Sequence, residues 1–137
     1  MSTTLTRQNG LERLAVGTVA VHAIVAGIHG AAHFGAPVEN TPGQWVFVIT
    51  VITIMPLVGA ALLLRGARSG AWWLLIGMAG SLVFGLVNHL IVPGVDNVAQ
   101  TPPGLWQLPF QVTAYVLPII EAAGAVFGWL LIQRRGS

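Results

Sequence analysis

Two histidines stand four residues apart in the run HGAAH, at His29 and His33. On an α-helix, residues at this spacing lie one above the other on a single face. That is how two imidazoles grip one metal ion. A third imidazole, His89, sits beside Asn88 in a separate apolar stretch, and Asp96 follows in a polar segment that can fold back as an oxygen ligand. Imidazole suits Zn, Cu, Fe and Ni, and three histidines with one open position describe a catalytic or transfer site. The metal ligands expected from spacing are therefore His29, His33, His89 and Asp96. A haem b is the second form of the same idea, with a histidine of the first stretch and His89 clamping the iron between facing helices. Gly27, Gly30 and Gly85 would leave room for its ring, and Asn88, Gln111 and Tyr115 are the polar groups expected to line a cofactor cavity. The alternative is that these histidines only form hydrogen bonds between helices.

A second pair lies deeper. His22 is seven residues before His29, within about 20° of the same helix face. Glu121 is the one acid inside an apolar stretch. Counted at 1.5 Å per residue from the outer ends, both lie roughly 20 Å down, whereas His33 and His89 lie only a few ångströms below the interface. An isolated glutamate in lipid would be held neutral, and pairing with an imidazole at equal depth satisfies both groups. The two readings of His22 with Glu121 are a structural hydrogen bond and a proton relay beneath the outer site.

These residues are positioned by an unusually apolar chain. Of 137 residues, 55% are hydrophobic and 7% charged, against about 25% charged in a soluble domain. The mean hydropathy is +0.79. Four apolar stretches, at about 14–36, 45–64, 71–92 and 109–133, each reach the ~20 residues that a helix needs to cross a bilayer. The first is too long for a signal-peptide core. In lipid only helices or closed barrels satisfy the backbone, and a barrel would need many short alternating segments. The expected fold is an all-α integral membrane protein, a four-helix transmembrane bundle forming a single domain over 1–137.

The basic residues are Arg7, Arg13, Arg65, Arg68, Arg134 and Arg135, and all fall on one side of this arrangement. Positive charge marks the cytoplasmic side, so both termini are expected there. The opposite, outer side holds Glu39, Asp96 and the proline-rich loop 93–108. Six scattered arginines without a basic run exclude a nucleic-acid surface. The expected location is the plasma membrane of a prokaryote, multi-pass, with the lipid bilayer as the first partner. Small residues at Ala23, Gly27 and Ala31, at Gly77, Ser81 and Gly85, and at Gly124 and Gly128 suit close helix packing. Pro56 and Pro118 should kink their helices.

Several chemistries are excluded. Cysteine and lysine are absent, which removes disulfides, thiolate metal sites, Fe–S clusters and Schiff bases. No phosphate loop or nucleophile elbow is present. The functional expectation is a membrane protein that binds a transition metal or haem near the outer face, suited to electron transfer or to oxidation of a small or lipid-soluble substrate. The alternatives are a non-catalytic accessory subunit of a larger membrane complex, or a homo-oligomer, and a small proton-coupled carrier built on His22 and Glu121.

Overall fold

A computed structural model describes residues 2–36, 38 and 40–136, with side chains over 10–36, 38 and 40–134. Glu39 and the side chains of Arg7 and Arg135 lie outside the described residues. The described chain is helical, with no strand. Helix α1 spans Ser2–Gly35, α2 Pro42–Leu64, α3 Ser69–Ile91 and α4 Gln107–Gly136. All four contain stretches long and apolar enough to cross a membrane. The faces they turn outward carry large apolar side chains, including Leu14, Ile24, Leu64, Ile76 and Ile119. An apolar exterior on this scale needs an apolar surrounding. Helix α1 begins at Ser2, about twelve residues before the apolar pattern does.

The ends of the helices follow from local chemistry. Thr41 caps α2 in a capping box: its hydroxyl accepts from the Gln44 amide, and the Gln44 side chain accepts from the Thr41 amide, with Pro42 at the first helical position. Helix α2 ends in a Schellman turn, where Ala67 N–H donates to the Leu62 carbonyl and Gly66 N–H to that of Leu63. That turn needs the left-handed φ of +73° that Gly66 supplies.

Two helices contain π-helical segments, Val48–Ile54 in α2 and Leu86–Ile91 in α3. The first precedes Pro56, which has no N–H to continue an α-helical ladder, and the wider turns absorb the interruption. Helix α4, by contrast, runs through Pro118 without a break. The second segment carries His89 itself. Its amide pattern leaves carbonyls in need of donors, and Asn88 Nδ2 donates to the Phe84 carbonyl at 2.9 Å. Single π-turns within α-helices are frequent at functional sites.

Helix α4 packs along both α1 and α3, and α2 packs chiefly against α3, touching α1 mainly along its second half. Glycines set the closest approaches. A Cβ at Gly59 would lie 2.8 Å from the Leu74 amide nitrogen, and one at Gly70 would lie 2.7 Å from the Gly59 carbonyl oxygen. Gly128 meets the Leu75 backbone in the same way, while Gly77 and Gly124 meet the side chains of Pro56 and Met78. The row on α1 behaves differently. Ala23, Gly27 and Ala31 are exposed, and a Cβ at Gly27 would meet nothing within 4 Å. Ala23 and Gly27 border a cleft instead of a helix contact.

Two apolar clusters separate along the bundle. One joins Leu11, Val19, Leu63, Leu74, Met78 and Leu131 toward the arginine-bearing end. The other joins Ala32, Val38, Val98, Phe110 and Ala114 at the end bearing the long loop. The buried polar groups His22, His29, His89, Thr113 and Glu121 lie in neither cluster. Because the Gly59 contact is with backbone, Gly59→Val should force α2 from α3 and cost about 1–3 kcal/mol. Gly27→Ala should be neutral or stabilising, since it restricts the unfolded chain without meeting a neighbour. Thermal unfolding of the two variants in detergent checks both.

Candidate metal centre

His29 and His33 project from the last turns of α1, and His89 reaches them from the π-helical end of α3. Their Nε2 atoms converge: His29 Nε2 lies 3.1 Å from His89 Nε2 and 3.2 Å from His33 Nε2. One nitrogen from each of the three rings fits within a 4.8 Å group.

The opposite ring nitrogens are all engaged, and their partners decide the tautomers. His33 Nδ1 faces the Val38 carbonyl at 3.3 Å, and His89 Nδ1 faces the Asp96 carbonyl at 3.0 Å. A carbonyl can only accept, so both Nδ1 atoms carry the proton. His29 Nδ1 is 2.8 Å from Thr113 Oγ1. The Thr113 hydroxyl already spends its one hydrogen on the Pro109 and Phe110 carbonyls, so here too the imidazole donates. A neutral ring held this way presents a bare Nε2 lone pair to the cluster. This is the tautomer in which outer hydrogen bonds orient metal-ligating histidines.

Asp96 completes the surroundings. Its Oδ1 lies 3.0 Å from His89 Nδ1 and 3.7 Å from His33 Nε2. His89 Nδ1 thus faces both the carbonyl and Oδ1 of Asp96 at 3.0 Å, and Oδ2 is sealed from solvent with no donor among the described residues. A buried carboxylate lacking donors is costly unless a positive charge stands near it. Phe110 is fully buried and walls the cluster. Its ring stacks on His29 at 4.9 Å and meets His33 and His89 edge-on at 5.1 and 5.4 Å.

The long loop is fastened over this cluster. Val98 N–H donates to the His89 carbonyl, Gln111 Nε2 to the Val98 carbonyl and Asn97 Nδ2 to that of Val92. Gln44 Nε2 donates to Asn88 Oδ1, which ties the start of α2 to the π-helical segment.

The structure thus brings together His29, His33 and His89 in a group that could hold a metal ion, and Asp96 lies beside them. It does not bring in the three further residues expected to line a cofactor cavity. Asn88 serves the α2–α3 link and Gln111 the loop, while Tyr115 is 56% exposed on the outside of α4. His22 and Glu121 do meet, with Nε2 3.3 Å from Oε1. Thr113, Phe110 and the Val38 carbonyl belong to the cluster but carry no sequence signal. A threonine in an apolar helix usually bonds only its own backbone, and Thr113 does that as well.

Comparison with protein-family models, with curated proteins and with solved structures finds no match to this chain.

Truncating Phe110 should cost about 3–5 kcal/mol, the range for a fully buried aromatic, because it removes the wall shared by three rings. Phe110→Leu should recover most of that. Unfolding midpoints in detergent measure both.

Proposed function

We propose that this protein is a multi-pass membrane protein holding one transition-metal ion on His29, His33 and His89, with Asp96 as the oxygen-bearing fourth group. The observation that carries this reading is the convergence of the His33 and His89 Nε2 atoms on that of His29, while the Nδ1 atom of each ring faces an oxygen outside the cluster. In the neutral form and without a cation, their lone pairs repel. A tetrahedral ion with ~2.05 Å metal–nitrogen bonds holds its ligand nitrogens about 3.3 Å apart, close to the separations of 3.1 and 3.2 Å.

The donor set of three imidazoles and one carboxylate suits Zn, Cu or Fe. It favours a bare ion over haem. His33 Nε2 stands beside the His29–His89 pair, where a macrocycle would need open space, and Phe110 closes another side. Gly27 and Gly30 border the α1–α2 cleft instead of the histidines. When bound, such an ion supplies Lewis acidity or electron transfer. The chain's own part is to fix the tautomers through Thr113, Val38 and Asp96 and to exclude water with Phe110. The site lies at the end of the bundle away from Arg13, Arg65, Arg68 and Arg134, so positive-inside orientation would put it at the outer membrane face.

Titration of chelator-stripped protein with Zn(II), against a competing indicator, should give one ion per chain. His29→Ala should abolish that binding, and Thr113→Val, which removes only the orienting acceptor, should weaken it about 10- to 100-fold. The reading fails if wild type binds no ion or if His29→Ala binds as wild type does.

Binding should also depend on pH in one direction. The ion competes with protons for Nε2, so affinity should fall as pH is lowered. Proton release measured during metal loading in weak buffer checks the sign.

A further inference from the structure

A groove of about 410 Å³ lies between α1 and α2 at the arginine-bearing end of the bundle, with none of the histidines in its lining. Val16, Gly17, Leu63 and Leu64 form its apolar part, and Glu12 and Arg13 are its charged residues. A Cβ at Gly17 would meet nothing within 4 Å, so this wall is open. The groove also stands at a defined level. The membrane-length apolar stretch of α1 runs over Gly10–Gly35 and that of α2 over Pro42–Leu64. Arg13 therefore lies in the first turn of one span and Leu64 at the last residue of the other, where headgroups meet hydrocarbon. Val16 and Gly17 follow about one turn deeper.

The charge at this level is one-sided. Arg65 and Arg68 follow Leu64 in the turn between α2 and α3. Arg13, Arg65 and Arg68 are exposed and make no hydrogen bond or ion pair among the described residues. Glu12 shares the groove wall and has an interaction of its own. With Arg134, four described arginines stand against one described acid, Glu12, at this end. A guanidinium is a planar fork of N–H donors that matches the oxygens of a phosphate. Arg13 brings such a fork, without a protein partner, to the mouth of an apolar groove.

The occupant follows from the two halves of the groove. Its mouth calls for an anion, and Val16, Leu63 and Leu64 call for hydrocarbon. A soluble anion would leave the apolar half unfilled. A second copy of the chain, in two-fold contact through this face, would bring Arg13 toward the same arginine. Positive charge marks the cytoplasmic side, and the leaflet there carries anionic lipids. We propose that this groove binds one anionic phospholipid, with its phosphate on Arg13 and an acyl chain laid against Val16, Gly17, Leu63 and Leu64. Arg65, next after Leu64, adds to the attraction at the headgroup. The proposal needs only that the helices lie in a bilayer. It is independent of what His29, His33 and His89 bind.

Delipidated protein in mild detergent is titrated with phosphatidylglycerol and with phosphatidylcholine of the same chains, and bound lipids are counted by native mass spectrometry. Wild type should retain one phosphatidylglycerol about fivefold more tightly than phosphatidylcholine, one arginine's share of the attraction to an anionic headgroup. Arg13→Gln should remove that preference and leave phosphatidylcholine binding unchanged, and added salt should shrink it in the wild type. Gly17→Leu should weaken both lipids by filling the groove, and Arg134→Gln, outside the groove, should change neither. Arg13 is exposed, so its variant tests the site even if Gly17→Leu fails to fold. Equal affinity for the two lipids in the wild type, or an undiminished preference in Arg13→Gln, would overturn the proposal. So would glycerol phosphate binding as tightly as the whole lipid. A change from dimer to monomer in Gly17→Leu would also overturn it, by giving the groove to a second copy of the chain.

Discussion

Three imidazoles that turn Nδ1 to outward oxygens bring their Nε2 atoms together, and in the neutral form those lone pairs repel. That repulsion has to be offset, and the surroundings of His29, His33 and His89 are arranged to hold it in place. The acceptors are of three kinds: a threonine hydroxyl already committed as donor, the carbonyl of Val38 just past α1, and the carbonyl of Asp96 in the long loop. Each comes from a different part of the chain. The cluster therefore forms only when α1, α3, α4 and the loop are all docked, which couples the ligand geometry to the whole fold.

Packing makes the docking tight. Glycines at the α2–α3 and α3–α4 contacts let backbones approach until a methyl group would collide with a neighbour's main chain. In lipid, where apolar burial provides no drive between helices, such close van der Waals contact is the main source of association. The π-helical end of α3 then departs from the α-helical course just where His89 must face α1. Asn88 supplies a donor to the Phe84 carbonyl there and accepts from Gln44. None of these close glycine contacts joins α1 to α2, and that pair opens into a cleft. Tight and loose helix pairs thus divide the molecule into a fixed polar cluster and an accessible groove.

Much of this is legible in the sequence, for a physical reason. The bilayer-length apolar stretches leave few readings besides four helices, and polar residues are so rare that each histidine stands out. Spacing and depth together suffice to place His33 and His89 near the outer interface, His29 about a turn deeper on the face of His33, and His22 level with Glu121 further down. What the sequence does not reveal depends on directions within a helix turn. Tyr115 and Gln111 share the expected face of a regular helix, yet one is exposed and the other is taken by the loop. Thr113 looks like any membrane threonine until its neighbour His29 is in place. The π-helical segments have no signature in composition, and the small-residue row on α1 reads as a packing face although it borders open space. Helix ends also move with caps that apolar periodicity does not sense, as at Thr41.

The central claim is that the three Nε2 atoms are ligands of one ion. X-ray absorption at the metal edge of the zinc-loaded protein tests it most directly. The structure predicts a four-coordinate ion with three imidazole nitrogens at about 2.0–2.1 Å and one oxygen, and loss of one imidazole shell in His89→Ala. A shell made only of oxygen, or an imidazole count unchanged by His89→Ala, would contradict it.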